Sequence, residues 1–270
     1  MNQVMTGKSI GFIGAGIMGT ALIKSLLNSS IRAEQIFISE KNEIRAQEVV
    51  NDYQVKSCSI HEIARSCDVI FLAVKPQDLE NTLLELSTDL EQGALLISIA
   101  AGKTTKFIES KLKSKNAVVR VMPNTPAQIG KGVSVISAGT NSTNSDIELT
   151  KVLLENTGLV VEVEESQQDA VTALSGSGPA YFFSFVESMI KSGVSLGLSM
   201  DTATKLAIGT ITGAAAMLTE SGLDAATLRK NVTSPNGTTA AALEVFNDNK
   251  LDEIIEKAMA AAKKRSQELA

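Results

Sequence analysis

The segment Gly14-Ala15-Gly16-Ile17-Met18-Gly19 follows the apolar run Ser9–Ile13 and precedes Leu22, Ile23, Leu26 and Leu27 at helical spacing. This placement constrains the fold more than any other feature. A lone G-x-G-x-x-G is a weak signal, but between a strand and a helix it marks the turn of a dinucleotide-binding unit. The first glycine allows a tight turn, the second admits a pyrophosphate close to the backbone, and the third lets helix and strand pack closely. Gly14, Ala15, Gly16, Ile17, Met18 and Gly19 are therefore cofactor-binding candidates.

The same alternation continues downstream. Ile36–Ser39 reads as a second strand, followed by a charged helix from Asn42 to Asn51. Val69–Val74 is wholly apolar, as in a strand buried on both faces of a parallel sheet. Leu95–Ile99, Val118–Met122 and Val133–Ser137 repeat that character, with helical patterns over Leu79–Leu86 and Thr105–Leu112. Repeated strand–helix–strand units predict a doubly wound α/β domain. Past Glu164 no further strand run occurs. Ser166–Ala173, Ala180–Leu196, Asp201–Ser221, Asp224–Asn231, Thr239–Phe246 and Leu251–Leu269 all favour helix. The expected domains are 1–164, α/β, and 165–270, helical, each of an ordinary domain size.

Of the 270 residues, 44% are hydrophobic, enough for a sizeable core. The net charge of −5, with no basic stripe, argues against a nucleic-acid partner. The opening MNQVMTGKSIGF lacks the apolar run of a secretory leader. Ala203–Leu218, the most apolar later stretch, is interrupted by Lys205 and several threonines, too polar for a membrane span and better read as a buried helix. Its small residues predict a tightly packed helix in a homodimer interface, with higher assembly open. Cys58 and Cys67 lack metal-ligand spacing and read as small buried hydrophobes in a cytoplasmic protein. One histidine and two cysteines leave little material for a structural zinc site, a carboxylate site for an alkali or magnesium ion stays open without a D-x-D-type cluster to point to it, and no metal is expected.

Ser39-Glu40-Lys41 lies about 20 residues past the last glycine, where an acidic residue binds ribose hydroxyls. Glu40 alone favours NAD, whereas Ser39, Lys41 and Arg45 suit a 2′-phosphate; NADPH is the expected cofactor, with NADH open. Later contacts belong at strand C-terminal ends. Ala73-Val74-Lys75-Pro76, the Ala100-Ala101 pair before Gly102, and Asn124 within Met122–Pro126 qualify. Small residues at Ala73 and Ala100 leave room for a nicotinamide ring, and Asn124 offers a hydrogen bond to ring or ribose. Pro123 and Pro126 equally serve to end the strand.

Two motifs stand in the helical half. Val232–Thr239, VTSPNGTT, places Pro, Asn and Gly among hydroxyl residues just before an apolar helical run. A helix start of that kind attracts a small anion, though the stretch also reads as an ordinary capped turn. Leu174–Tyr181, LSGSGPAY, interrupts the helical pattern and predicts a sharp turn with Pro179 at a helix start.

GFIGAGIMG, FLAVKPQ, RVMPNTP, LSGSGPAYFF and VTSPNGTT occur in this order over Gly11–Thr239. With them the chain resembles the pyrroline-5-carboxylate reductase family over nearly its whole length, the last two motifs being the most diagnostic. The resemblance implies a Rossmann-type doubly wound sheet followed by an all-α dimerisation domain, NADPH or NADH as hydride donor, and an active site between cofactor domain and helical dimer. It implies reduction of 1-pyrroline-5-carboxylate to L-proline, the last step of proline biosynthesis. Ser234, Gly237 and Thr238 then cradle the substrate carboxylate, Thr239 places its hydroxyl near the ring nitrogen, and Ser177 joins the substrate-binding set. Two departures stand out. Asn236 replaces the first glycine of the usual S-P-G-G, a position Asn tolerates in left-handed backbone. Ile60 stands where many members carry an asparagine near the cofactor ribose.

The residues suit an imine substrate. A dehydrogenase acting on an alcohol or ketone usually needs a His or Lys to move a proton. His61, the one histidine, reads as a surface residue at a helix start. A cyclic imine arrives protonated and accepts hydride readily, so positioning carries the catalysis. Thr239 is too weak an acid to protonate unaided, and its catalytic role is to orient the ring nitrogen. One alternative is a 3-hydroxyacid dehydrogenase, for which Lys191, the one lysine on Ala180–Leu196, lies too far along. Another is a non-catalytic nucleotide-binding regulator, against which Ser234, Gly237 and Thr239 argue. Neither Ser175 nor Ser177 sits in the G-x-S-x-G of a serine hydrolase.

Overall fold

A computed structural model of the chain describes residues 7–29 and 31–269. The reading of the first twelve residues falls partly on residues 1–6, outside the described residues.

Among the described residues eight strands form one sheet. They are β1 Ile10–Ile13, β2 Ile36–Ser39, β3 Lys56–Ser57, β4 Val69–Leu72, β5 Leu95–Ser98, β6 Val118–Met122, β7 Gly132–Ala138 and β8 Gly158–Glu162. The sheet order is β3-β2-β1-β4-β5-β6-β7-β8. Strands β1 to β6 run parallel, β7 pairs antiparallel to β6, and β8 pairs parallel to β7. Chain order reverses between β1 and β4, and the crevice outside their C-terminal ends is where an open α/β sheet binds its ligand.

Strand periodicity divides the core into two layers. Ile10 and Phe12, Val69 and Phe71, Leu95 and Ile97, and Val119 and Val121 share one face, joined by Leu22, Ile23 and Leu26 of helix α1 (Ile17–Leu27). The Phe12 and Phe71 rings stack there at 4.6 Å between centroids. Helix α2 (Glu43–Tyr53) adds Val49 to this layer. The opposite face carries Ile13, Ile70, Leu72, Leu96 and Val118, with residues of α3 (Ile60–Ser66), α4 (Leu79–Leu86) and α5 (Thr105–Lys111). Burial on both faces explains why these strands read as continuous apolar runs. Helix α6 (Asn144–Leu154) forms the crossover from β7 to β8 and adds Ile147 and Leu153 to the first layer.

The chain divides into two compact units. One extends to Ser177 and includes the chain from Ala262 onward; the other spans Gly178–Ala261. The first unit contains α7 (Gln168–Val171), which leads into a π-helical turn over Thr172–Gly176. Helix α8 (Gly178–Ser195) begins two residues later. The expected sharp turn at LSGSGPAY is therefore not formed. Ser177 stays in right-handed helical conformation at φ −85°, ψ −18°, and its N–H donates to Thr172 O at 2.8 Å. The chain stays helical because Pro179 falls in the first turn of α8, where its missing N–H costs nothing.

The second unit holds α8, α9 (Met200–Glu220), α10 (Ala225–Asn231), α11 (Thr238–Asp248) and most of α12 (Leu251–Glu268). Helix α9 departs from the expectation of a buried helix: within one chain only its Ala203 and Ala207 are buried. Leu206, Ile208, Met217 and Leu218 are each more than half exposed, as are Phe182 and Phe183 of α8. A unit of this size lacks the surrounding layers to cover them. No helix among the described residues is long and apolar enough to cross a membrane.

Candidate functional site

Two helices begin on a glycine cap: α1 at Gly16 and α11 at Gly237. Neither has an acidic residue in its first turn. By contrast α2, α3, α4, α6 and α9 carry Glu43, Glu62, Glu80, Asp146 and Asp201 there, and α5 and α10, which share the lack with α8, are capped by the side chains of Thr104 and Asp224. Acidic side chains near a helix start offset its dipole. At α1 and α11 that positive end is left for an external anion. These are the two loops that the sequence singles out.

At the first, the backbone demands glycine. Gly14 has φ +92°, and a Cβ there would fall 2.7 Å from Ala73 O. A Cβ at Gly19 would fall 2.9 Å from Gly14 O, so the start of α1 packs on the turn itself. The first intrahelical bond is Thr20 N–H to Gly16 O at 2.9 Å, which places the N–H groups of Ile17, Met18 and Gly19 ahead of it. A cleft of about 380 Å³ opens here, lined by Gly14, Gly16, Ser39, Glu40, Lys41, Ala73, Val74 and Lys75. Arg45 and Ile60 line it as well.

Glu40 has a role that the sequence does not announce. Its Oε2 accepts from Ala15 N–H at 2.8 Å and its Oε1 from Asn42 N–H at 3.0 Å. The carboxylate holds the glycine turn against the end of β2. Ser39 O accepts from Gly14 N–H at 2.8 Å and strengthens that link. Gln77, Asp78, Thr82 and Glu85 also line the cleft and were not anticipated. Asp78, Thr82 and Glu85 stand at i, i+4 and i+7, so helical spacing from Pro76 onward would have placed them on one face.

The remaining cofactor candidates lie elsewhere in the first unit. Pro76 follows Lys75 just past β4. Ala100 and Ala101 follow β5, Ala100 buried and Ala101 half-buried. Asn124 is buried at the end of β6: its Oδ1 accepts from Val133 N–H at 2.8 Å, and its Nδ2 donates to Ser175 O at 3.2 Å. That amide joins β6 to the π-helical turn. Ser177 sits at the end of the turn, half-buried.

The second loop is built on a turn. Gly237 N–H donates to Ser234 O at 3.1 Å, with Pro235 and Asn236 between them. Asn236 has φ +60°. Proline followed by a left-handed residue is the pattern of a type II turn. The departure from glycine at this position therefore keeps the left-handed backbone expected of it. A side chain at Gly237 would collide with Ser234 Oγ. The first intrahelical bond of α11 is Ala241 N–H to Gly237 O at 3.1 Å, so the N–H groups of Thr238, Thr239 and Ala240 precede it. Thr239 is half-buried, and Ser234 and Thr238 are exposed.

His61 lies in the first turn of α3, as read, with its ring partly exposed. Its Nδ1 pairs with Asp89 Oδ2 at 2.7 Å. The Arg65 guanidinium, the Thr88 hydroxyl and His61 together hold the Asp89 carboxyl down at about 2. Lys191 is exposed and ion-paired to Glu187 at 2.8 Å, an ordinary i, i+4 surface pair. Burial pushes the Cys58 and Cys67 thiols up to about 11 and about 12. Among the described residues no group of three or more His, Cys, Asp and Glu is placed to hold a metal ion.

A parallel sheet with a glycine-capped helix at its switch point, followed by an all-helical unit, defines a Rossmann-type protein with a helical second domain. The family described as pyrroline-5-carboxylate reductase dimerisation matches residues 165–269, and that described as NADP oxidoreductase coenzyme F420-dependent matches residues 9–102. Pyrroline-5-carboxylate reductase 2 of Bacillus subtilis strain 168 is 40% identical over 97% of this chain and 95% of its own length. The solved pyrroline-5-carboxylate reductase of Coxiella burnetii superposes with a TM-score of 0.90 at 34% identity, covering 97% of this chain and 98% of that one. The Plasmodium falciparum pyrroline carboxylate reductase, solved with NADP bound, gives 0.89 at 32% identity with the same coverages. The chain belongs to the pyrroline-5-carboxylate reductase family.

Proposed function

We propose that this protein reduces 1-pyrroline-5-carboxylate to L-proline by hydride transfer from NAD(P)H, with NADPH the preferred donor. The observation that carries the reading is the pair of glycine-capped helix starts without a first-turn acid, one beside the cleft at β1 and one at the Ser234–Thr239 loop. One suits a pyrophosphate and the other a carboxylate.

The cleft fits a dinucleotide. Gly14, Ala15, Gly16, Ile17, Met18 and Gly19 bring backbone to the pyrophosphate, where a Cβ on Gly14 would close the turn. Ser39, Lys41 and Arg45, which line the cleft, would hold a 2′-phosphate. The Glu40 carboxylate, engaged by two backbone N–H groups, serves the turn more than the ribose. Ala73, Val74 and Lys75, with Pro76, Ala100 and Ala101 at neighbouring strand ends, would border the ring end, and Asn124 fixes the end of β6. When bound, the reduced nicotinamide supplies the hydride.

On the substrate side, Ser234, Gly237 and Thr238 would hold the carboxylate, and Ser177 joins the substrate-binding set by family resemblance alone. The protonated imine carbon accepts hydride while the C=N π electrons move to nitrogen, giving the secondary amine without a protein acid. Thr239 orients that nitrogen. Positioning of this kind supplies roughly 7–11 kcal/mol in favourable cases. Residues 1–164 act as the cofactor domain and 165–270 as the dimerisation and substrate domain, in a cytoplasmic homodimer whose partner covers α8 and α9. Oxidation of NADPH and of NADH, each with 1-pyrroline-5-carboxylate, tests activity and preference together. Sedimentation at micromolar concentration tests the dimer, and a monomer alone would remove it.

A further inference from the structure

Arg120 lies in β6 with its side chain only 4% exposed. In register beside it stand Ser98 of β5 and Ser137 of β7, both fully buried. Both neighbours are small, and the Ser137 hydroxyl is taken up by Gln168 Nε2 and Val163 O. Its Nη1 lies 3.4 Å from Glu165 Oε1 and its Nη2 3.8 Å from Asp169 Oδ1. Both distances are long, so charge more than close hydrogen bonding holds the group.

The two carboxylates do their close bonding elsewhere. Glu165 accepts from Thr105 N–H at 2.7 Å and from the Thr105 hydroxyl at 2.6 Å. Thr105 is the first residue of α5 and ends the loop that leaves β5. Asp169 accepts from the Ser266 hydroxyl at 2.7 Å. Ser266 belongs to the last turns of α12, and its carbonyl oxygen, with the Cβ of Leu269 just past the helix, lies against Gly102 in that same loop. Arg120 thus faces two carboxylates that grip the β5–α5 loop, one at its far end and one through α12.

That loop carries Ala100 and Ala101. The acidic side chain at the end of β2 marks the ribose side of a dinucleotide fold. The ring half of the cofactor then extends the other way from the switch point, over β4 and β5. The geometry points to Arg120 as a positioning residue that sets the β5–α5 loop, through Glu165 and Asp169, against the nicotinamide end of the cofactor. This assignment rests on the reading of the cleft as a NAD(P)H site. A buried cation with two quarter-exposed carboxylates adds little net stability over an apolar replacement of the whole group, because desolvation offsets the attraction. Its value here lies in placing a loop that has no strand or helix of its own.

The test compares two probes. Arg120→Met and Glu165→Gln are titrated by calorimetry with NADPH and with adenosine 2′,5′-bisphosphate, which carries the adenosine half and no nicotinamide. Both variants should lose at least about fivefold in NADPH affinity and keep the adenosine probe within about twofold. Their kcat should fall at least about tenfold per folded chain, with KM for the imine changed less than about threefold. Equal losses with both probes, or none with either, overturn the assignment. Should Arg120→Met fail to fold, Glu165→Gln, which keeps the side-chain volume, decides the assignment alone. A wild type that binds NADPH but does not oxidise it against the imine defeats the reductase reading, and the two-probe comparison still decides on Arg120. A wild type that binds neither probe overturns both.

Discussion

Glu40 accepts a hydrogen bond from Ala15 N–H at 2.8 Å, so the side chain that ends β2 holds the turn that follows β1. A ribose ligand at this position would be lost selectively for one cofactor. A brace for the turn is lost for every dinucleotide. Glu40→Ala should therefore weaken NADPH and NADH together, by roughly tenfold each, since a charge-assisted bond to backbone N–H is worth about 1.5–3 kcal/mol. Fluorescence titration with both cofactors checks this. Loss of NADH binding alone would restore the ribose role.

Gly14→Ala meets two obstacles, a φ of +92° and Ala73 O at 2.7 Å from the new methyl carbon. Strained backbone of this kind costs about 1–3 kcal/mol. We expect a lowered melting temperature and NADPH affinity reduced more than roughly tenfold. A variant that binds NADPH as the parent does would contradict the cradle.

The Asn236 backbone, at φ +60°, predicts opposite results from two substitutions. Asn236→Gly should leave KM for the imine within about threefold, because glycine reaches the left-handed region freely. Asn236→Val should raise KM well beyond that, since left-handed backbone costs an ordinary residue roughly 1–2 kcal/mol. Steady-state kinetics on both variants decides the matter, and equal KM values would show that the turn does not shape the carboxylate site.

Most of the sheet was legible because strands buried on both faces are apolar throughout, as Val69–Leu72 illustrates. Strand β3 was not, since Lys56 and Ser57 are both exposed and carry no hydrophobic signal. Strand β8 lies at the sheet edge and its exposed positions, Leu159 and Val161, are apolar, so its sequence lacks the apolar–polar alternation of a half-buried strand. Helix α6 is not legible in the apolar pattern, and α3 shows only as a helix start at His61, although each carries a capping box, Thr143 with Asp146 and Ser59 with Glu62. The glycine turns were readable because backbone geometry selects residue types locally. The grip of Glu40 on Ala15, 25 residues away, depends on strand pairing that no local pattern encodes.

Asp89 gives a prediction on the acid side. Its carboxyl is held at about 2 by Arg65, Thr88 and His61, below its ordinary 3.8. A depressed folded-state value stabilises the protein above the ordinary value, and that contribution fades as pH falls toward 2. The melting temperature of Asp89→Asn should therefore lie below that of the parent above pH 4 and converge on it near pH 2. A gap that widens on acidification would reverse the sign.

Thr239 stands at the second position of α11, beyond Gly237. As an orienting group its loss should reduce kcat roughly 10- to 100-fold while the folded dimer survives. The pH dependence of kcat should keep its shape, because no proton leaves Thr239. A changed pH profile would assign it proton transfer, and unchanged turnover would remove it from the site.

Imine reduction is tested most directly by following NADPH absorbance in the purified protein with and without 1-pyrroline-5-carboxylate, with proline assayed at the end. A reductase oxidises NADPH only when the imine is present and yields one proline per NADPH consumed. NADPH that binds and is not oxidised when the imine is added would contradict imine reduction.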